Sequence, residues 1–94
     1  MNLEELFTII KNRQTRLPDR SYVASLFGEG KDRCIQKVGE EAIEVVIAAK
    51  NTNKIRQIEE LTDLLFHTLI LMVQLGISIQ DIEKELDKRH KKRS

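Results

Sequence analysis

KDRCIQKVGEEAIEVVIAAKNTNKIRQIEELTDLLFHTLILMVQLG, residues 31–76, decides the fold. Its apolar residues recur at helical spacing on both sides of the polar break Asn51-Thr52-Asn53, and the pattern stops at Gly76, the residue type expected just past a helix end. The spacing predicts one helix from about Lys31 to Lys50 and another from about Lys54 to Leu75. Beyond Gly76, Ser78 can cap a helix from Ile79 to about His90, with Asp81 at its third position. Toward the N-terminus, Leu3, Leu6, Phe7, Ile9 and Ile10 predict a helix over residues 3–13, with Asn2 as N-cap and Glu5 three residues on. Pro18 ends that helix no later than about Leu17. Residues 18–30, PDRSYVASLFGEG, lack periodicity and carry Gly28 and Gly30, so a loop or a broken helical turn is expected, holding some of the binding groups. Four helices with short connectors predict an all-α, four-helix up-and-down bundle, one domain spanning residues 1–94.

Length and composition narrow the rest. Ninety-four residues bury a modest core, so self-association, most simply a homodimer, is expected. The formal charge of +1 hides an asymmetry: the last seven residues, 88–94, hold five of the 16 basic side chains and none of the 15 acidic ones, leaving an acidic body and a basic tail. Lys88, Arg89, Lys91, Lys92 and Arg93 read as a solvated helix end whose cations complement the C-terminal dipole, rather than as a nucleic-acid or membrane contact. Cys34 is the single cysteine and reads as a small buried hydrophobe. The N-terminus fits no signal or transit peptide, and the longest apolar run, Leu69 to Val73, is far short of a membrane span. A cytoplasmic protein that engages neither nucleic acid nor membrane is expected.

The acidic residues are patterned. Successive helical residues turn by about 100°, so with Lys37 at zero Glu40 falls near 300°, Glu44 near 340° and Glu41 near 40°, beside an apolar face of Ile35, Val38, Ala42, Val45 and Ala49. On the next helix, with Glu60 at zero, Asp63 falls near 300° and His67 near 340°, beside Leu61, Leu65, Thr68 and Met72 at about 80–140°. Antiparallel packing through these apolar faces predicts that both acidic stripes meet along one groove edge as a cluster of Glu40, Glu41, Glu44, Glu60 and Asp63. EExxE alone is usually a solvated face. The ExxD on the adjoining helix turns it toward chemistry, because such a cluster repels itself unless cations neutralise it. Hard divalent ions take oxygen ligands, so Mg²⁺ is implied, with Mn²⁺ as the alternative. Ions beside a polyphosphate would polarise phosphoryl oxygens and acidify a bound water, and a carboxylate not committed to metal could act as general base.

These motifs resemble those of the all-α nucleotide pyrophosphatase superfamily, the MazG-like proteins. Within it the chain looks most like the phosphoribosyl-ATP diphosphatase family, through SYVASLF at residues 21–27, KVGEEAIEVVIAAK at 37–50, ELTDLLFH at 60–67 and the ending GISIQDIEKELDKRH. The resemblance implies hydrolysis of the α–β phosphoanhydride of 1-(5-phosphoribosyl)-ATP, giving 1-(5-phosphoribosyl)-AMP and pyrophosphate, in histidine biosynthesis. It implies Glu40, Glu41, Glu44 and Asp63 as metal-site residues and Glu60 as a further ligand or water-orienting base, with Glu41 and Glu60 as the catalytic pair. It also implies a site near a dimer interface.

For the substrate's phosphates the candidates are Lys37, Arg20, Ser21, Lys31, Arg33 and Lys50. Lys37 leads because a lysine in the acidic stripe serves no packing purpose, the alternative being a plain ion-pair partner of Glu41. Tyr22 is a candidate for ribose or phosphate, or else a core aromatic. His67 reads as a hydrogen-bonded structural histidine rather than a ligand. Phe27, Phe66 and the leucines around them read as core or interface. Two rival functions share these features: a house-cleaning pyrophosphatase of non-standard nucleoside triphosphates, and a non-catalytic helical interaction module.

Overall fold

Local capping chemistry fixes where the helices begin and end. Asn2 Oδ1 accepts from the backbone N–H of Glu5 at 2.9 Å, starting α1 (Leu3–Arg16). Ser21 Oγ accepts from Ala24 N–H at 3.1 Å, starting α2 (Tyr22–Glu29). Gly30, at φ 100°, turns the chain directly into α3 (Lys31–Ala49) in a backbone conformation that side chains disfavour. Asn53 Oδ1 accepts from Arg56 N–H at 3.2 Å to start α4 (Lys54–Leu75), which stops at left-handed Gly76, where Ile77 N–H donates back to the Met72 carbonyl at 2.9 Å. Ser78 and Asp81 cap α5 (Ile79–Arg93) reciprocally, at 3.1 and 2.9 Å. These helices come from a computed structural model that describes residues 1–16 and 21–93; Pro18, the expected helix stop, and Arg20 lie outside the described residues.

The all-α expectation holds, with no strand among the described residues. The count differs, because Tyr22–Glu29 is a helix where a loop or broken turn was expected. Eight residues are too few to show a period, and what holds them is tertiary: Val23 and Leu26 pack into a core with Ile10, Cys34, Leu69, Ile70 and Val73. Leu6, Phe7, Phe27 and Phe66 close over that core. Cys34 is the buried hydrophobe its isolation suggested, its thiol raised above the ordinary value by burial first and by Glu29 second.

α3 and α4 form a hairpin joined through residues 50–53, and Gln57 braces the turn by donating to the carbonyls of Asn51 at 2.8 Å and Ala48 at 3.3 Å. Of the apolar faces anticipated for the hairpin, Val45, Ala49 and Leu61 border one hollow with Gln57, although that side of α4 is not its most buried one. Leu61 and Leu65 stay exposed, and the buried side carries Glu60, His67, Leu69, Ile70 and Val73. α4 is apolar on two sides, so periodicity could not choose between them, and α1 and α2 settle the choice by covering the second.

α5 turns by 103° from α4 and leaves its polar length in solvent, Lys88, Arg89, Lys91 and Lys92 included. Its first turns bring Ile79 and Ile82 beside Leu3, Leu65 and Met72 around an apolar hollow of about 250 Å³. α5 thus projects from the other helices instead of completing an up-and-down bundle with them. No single described helix is long and apolar enough to cross a membrane.

Candidate functional site

The α3–α4 hairpin brings carboxylates into its own seam. Oxygens of Glu41 on α3 and of Glu60 and Asp63 on α4 lie within 4.8 Å of one another. The Glu41 and Glu60 side chains keep only 13% and 9% of their surface, while Asp63 opens to solvent. Three carboxylates this close, two of them nearly buried, are unfavourable without cations beside them.

Of the five expected carboxylates, Glu40 and Glu44 stand outside the trio. Glu40 is about 100° round α3 from Glu41, so turning Glu41 inward turns Glu40 outward. There it accepts from Gln36 at 2.9 Å and meets Lys37 at 3.5 Å and Arg33 at 3.9 Å, and its pKa is lowered by the Gln36 hydrogen bond first and by Lys37 and Arg33 after it. Glu44 lines a polar hollow of about 270 Å³ at the α3–α4 turn, together with Asn51, Asn53 and Arg56.

Two cations flank the trio. Lys37 Nζ lies 3.3 Å from Glu41 and 3.5 Å from Glu40. Burial pulls its ammonium down, but the Glu41 hydrogen bond, the Glu41 charge and the Glu40 hydrogen bond together hold its pKa above the ordinary lysine value. Arg56 Nη2 lies 2.8 Å from Glu60 Oε1. Sequence reasoning missed Arg56, although its spacing from the ExxD motif was visible: Arg56, Glu60 and Asp63 stand at i, i+4 and i+7 on one face.

The other expected phosphate binders are dispersed. Arg33 is tied to Glu29 at 3.5 Å as well as to Glu40. Lys31 and Lys50 sit exposed at opposite ends of α3, each about 14–15 Å along the axis from Glu41. Ser21 spends its oxygen on the α2 cap, which leaves its proton available to an acceptor.

Beside Lys37, Tyr22 and His67 tie α2 to α4. His67 Nδ1 lies 2.7 Å from the Asp63 carbonyl, which can only accept, so Nδ1 carries the proton and Nε2 accepts from the Tyr22 hydroxyl at 2.8 Å. With both ring nitrogens engaged, His67 is the structural histidine its position suggested. Tyr22 is no core aromatic: 48% exposed, its ring lies near-parallel to Phe66 at 6.4 Å between centroids. Burial is the first cause raising its phenol pKa, against lowering by Lys37 and Arg33, so the hydroxyl stays protonated at neutral pH.

The family model described as Phosphoribosyl-ATP pyrophosphohydrolase matches residues 3–90. The chain is similar to the phosphoribosyl-ATP pyrophosphatase of Leptospira biflexa, 51% identical over 88 residues that cover 94% of this chain and 96% of that one. It is similar to the protein of the same name from Clostridium novyi, 44% identical over 96% of this chain and 82% of that one. It also resembles part of the histidine biosynthesis bifunctional protein HisIE of Oceanobacillus iheyensis, 51% identical over 86% of this chain and 38% of the longer protein.

Proposed function

The chain belongs to the phosphoribosyl-ATP pyrophosphohydrolase family, and from that membership and its carboxylate trio we propose that it is a cytoplasmic, Mg²⁺-dependent hydrolase that cleaves 1-(5-phosphoribosyl)-ATP to 1-(5-phosphoribosyl)-AMP and pyrophosphate in histidine biosynthesis. The observation that carries this reading is the convergence of Glu41, Glu60 and Asp63 oxygens within 4.8 Å. A trio this close would hold a hard divalent ion, with waters and substrate phosphates supplying the remaining ligands. Its all-oxygen donors suit a hard ion, Mn²⁺ included.

Glu41, Glu60 and Asp63 would hold the metal, with Glu44 and Glu40 as outer candidates. Bound there, Mg²⁺ would neutralise the phosphates and acidify a water. The protein's own part is to aim and deprotonate. Water adds to phosphorus at the α–β anhydride, the bridging P–O bond breaks, and pyrophosphate leaves. The water's proton passes to a carboxylate, for which Glu41 and Glu60, both nearly buried, are the candidates. Lys37 supplies a point charge for substrate phosphate, with Arg20, Ser21, Lys31, Arg33 and Lys50 as further candidates at greater remove.

A homodimer is part of the proposal. Leu61, Leu65, Ile82 and Leu86 expose apolar surface along α4 and α5 that a second copy would cover. Monomeric mass at micromolar concentration would refute it.

Pyrophosphate release from phosphoribosyl-ATP should require Mg²⁺ or Mn²⁺ and stop with a chelator. Faster turnover of dCTP or dUTP would replace the substrate assignment with the house-cleaning reading, and no release from any nucleotide would leave the interaction module.

A further inference from the structure

The two cations beside the trio are displaced in opposite directions. Lys37 precedes Glu41 by one turn on α3, and Arg56 precedes Glu60 by one turn on α4. Because the helices run antiparallel, Lys37 lies toward α2 and Arg56 toward the α3–α4 turn. A substrate whose scissile anhydride sits at the trio therefore has a cation on each side, and the surroundings of the two differ in kind.

On the Lys37 side stand aromatic rings, with Tyr22 half exposed and backed by Phe66 and His67. On the Arg56 side is the polar hollow of about 270 Å³ lined by Glu44, Ile47, Ala48, Asn51, Asn53 and Arg56, with no aromatic residue among them. Its volume is that of roughly nine waters. Glu44 would repel a bare polyanion there, so the fitting occupant is pyrophosphate carrying a divalent cation. An aromatic face suits a nucleoside, whereas a guanidinium with side-chain amides suits phosphoryl oxygens.

Resting on the hydrolase reading above, we propose that the substrate lies along the hairpin with its nucleoside toward Tyr22 and its pyrophosphate toward the α3–α4 turn, and that Arg56 is the leaving group's binding residue. Without ligand, Arg56 neutralises Glu60 at 2.8 Å. Once a metal takes that role, the guanidinium is released to phosphoryl oxygens one turn away, where it offsets charge developing on the departing pyrophosphate. The arginine is 55% exposed at its side chain, so the exchange needs no repacking.

Calorimetric titration of the full chain in Mg²⁺ with each product tests this directly. Arg56→Gln should weaken pyrophosphate binding by at least about tenfold, the size of one charge-assisted hydrogen bond, and leave phosphoribosyl-AMP within about twofold. Tyr22→Leu should do the reverse. Mn²⁺ added alone should bind Arg56→Gln more tightly than wild type, because a competitor for Glu60 has gone; weaker Mn²⁺ binding would refute the exchange. Undiminished pyrophosphate binding by Arg56→Gln, or an equal loss for both products, would overturn the orientation alone. A wild-type chain that bound neither product would overturn the hydrolase reading itself.

Discussion

One stripe runs down α4 through Arg56, Glu60, Asp63, His67 and Ile70, and its two halves are put to opposite uses. From Ile70 onward, with Leu69 and Val73 alongside, it is packed dry against Ile10, Val23 and Leu26. From His67 back to Arg56 it holds charge and hydrogen bonds against α3 and α2. The same helix face is stabilising at one end and electrostatically costly at the other. Burying carboxylates beside one another lowers stability unless cations compensate, so the apolar half must carry the fold while the polar half stays poised for ligands.

Substitutions should separate the two halves cleanly. The largest effect expected is on turnover: Glu41→Gln or Asp63→Asn should lower pyrophosphate release by about a thousandfold or more, on the order of 4 kcal/mol of barrier. Thermal unfolding of these variants should be unchanged or shifted upward, since like charges have been removed from a crowded site. A clear loss of thermal stability would show that the trio holds the fold together, and the contrast between the halves would collapse.

Ile70→Ala should behave in the opposite way. A fully buried isoleucine truncated to alanine costs about 2–5 kcal/mol, a large share of the roughly 5–15 kcal/mol that stabilises a small domain. Urea or thermal unfolding should register that loss, while the fraction still folded at low temperature should retain near-normal kcat. If kcat fell as far as in Glu41→Gln, the core half would be part of the active site.

Much of this was legible in the sequence because it is written locally. Asn2, Asn53, Gly76 and the Ser78–Asp81 pair mark helix ends through hydrogen bonds to residues within a turn, and the observed ends follow them. EExxE and ExxD likewise announced Glu41, Glu60 and Asp63. What stayed hidden depends on partners distant in the chain. α2 is held by Val23 and Leu26 meeting α1 and α4, and the buried side of α4 is chosen by what covers it. Helical angles put Glu40, Glu41 and Glu44 in one stripe, but only the rotation of α3 against α4 determines that Glu41 turns inward. The Arg56–Glu60 pair is available from its i, i+4 spacing, but such pairs are common on solvated helix faces, and only the fold shows that this one borders the trio.

The boundary between the halves is His67, and Tyr22→Phe probes it. Removing the hydroxyl leaves Nε2 without its donor and takes away the one hydrogen bond described between α2 and α4, while the Val23 and Leu26 packing stays. A cost of about 1–3 kcal/mol is expected for the unpaired nitrogen, less where solvent reaches it beside the half-exposed ring. Turnover should fall less than in Glu41→Gln, because the trio itself is untouched. Equal losses in both variants would make the Tyr22 hydroxyl part of the chemistry and not merely a tether.

The smallest effect concerns the carboxylate that faces away. Glu40 has its pKa lowered chiefly by Gln36, then by Lys37 and Arg33, so the stability it contributes is present above its unfolded value near 4.5 and is lost as pH falls through the lowered folded value. Because Glu40 is exposed, solvent screens that contribution, and Glu40→Gln should leave unfolding at neutral pH almost unmoved and soften only the acid limb. Its turnover should exceed that of Glu41→Gln by at least about tenfold, since it stands outside the trio while sharing Lys37 with it. Equal losses from these neighbours would mean that α3 rotates when metal binds and brings Glu40 into the cluster. The inward and outward sides of EExxE would then be two positions of one helix, not two fixed roles.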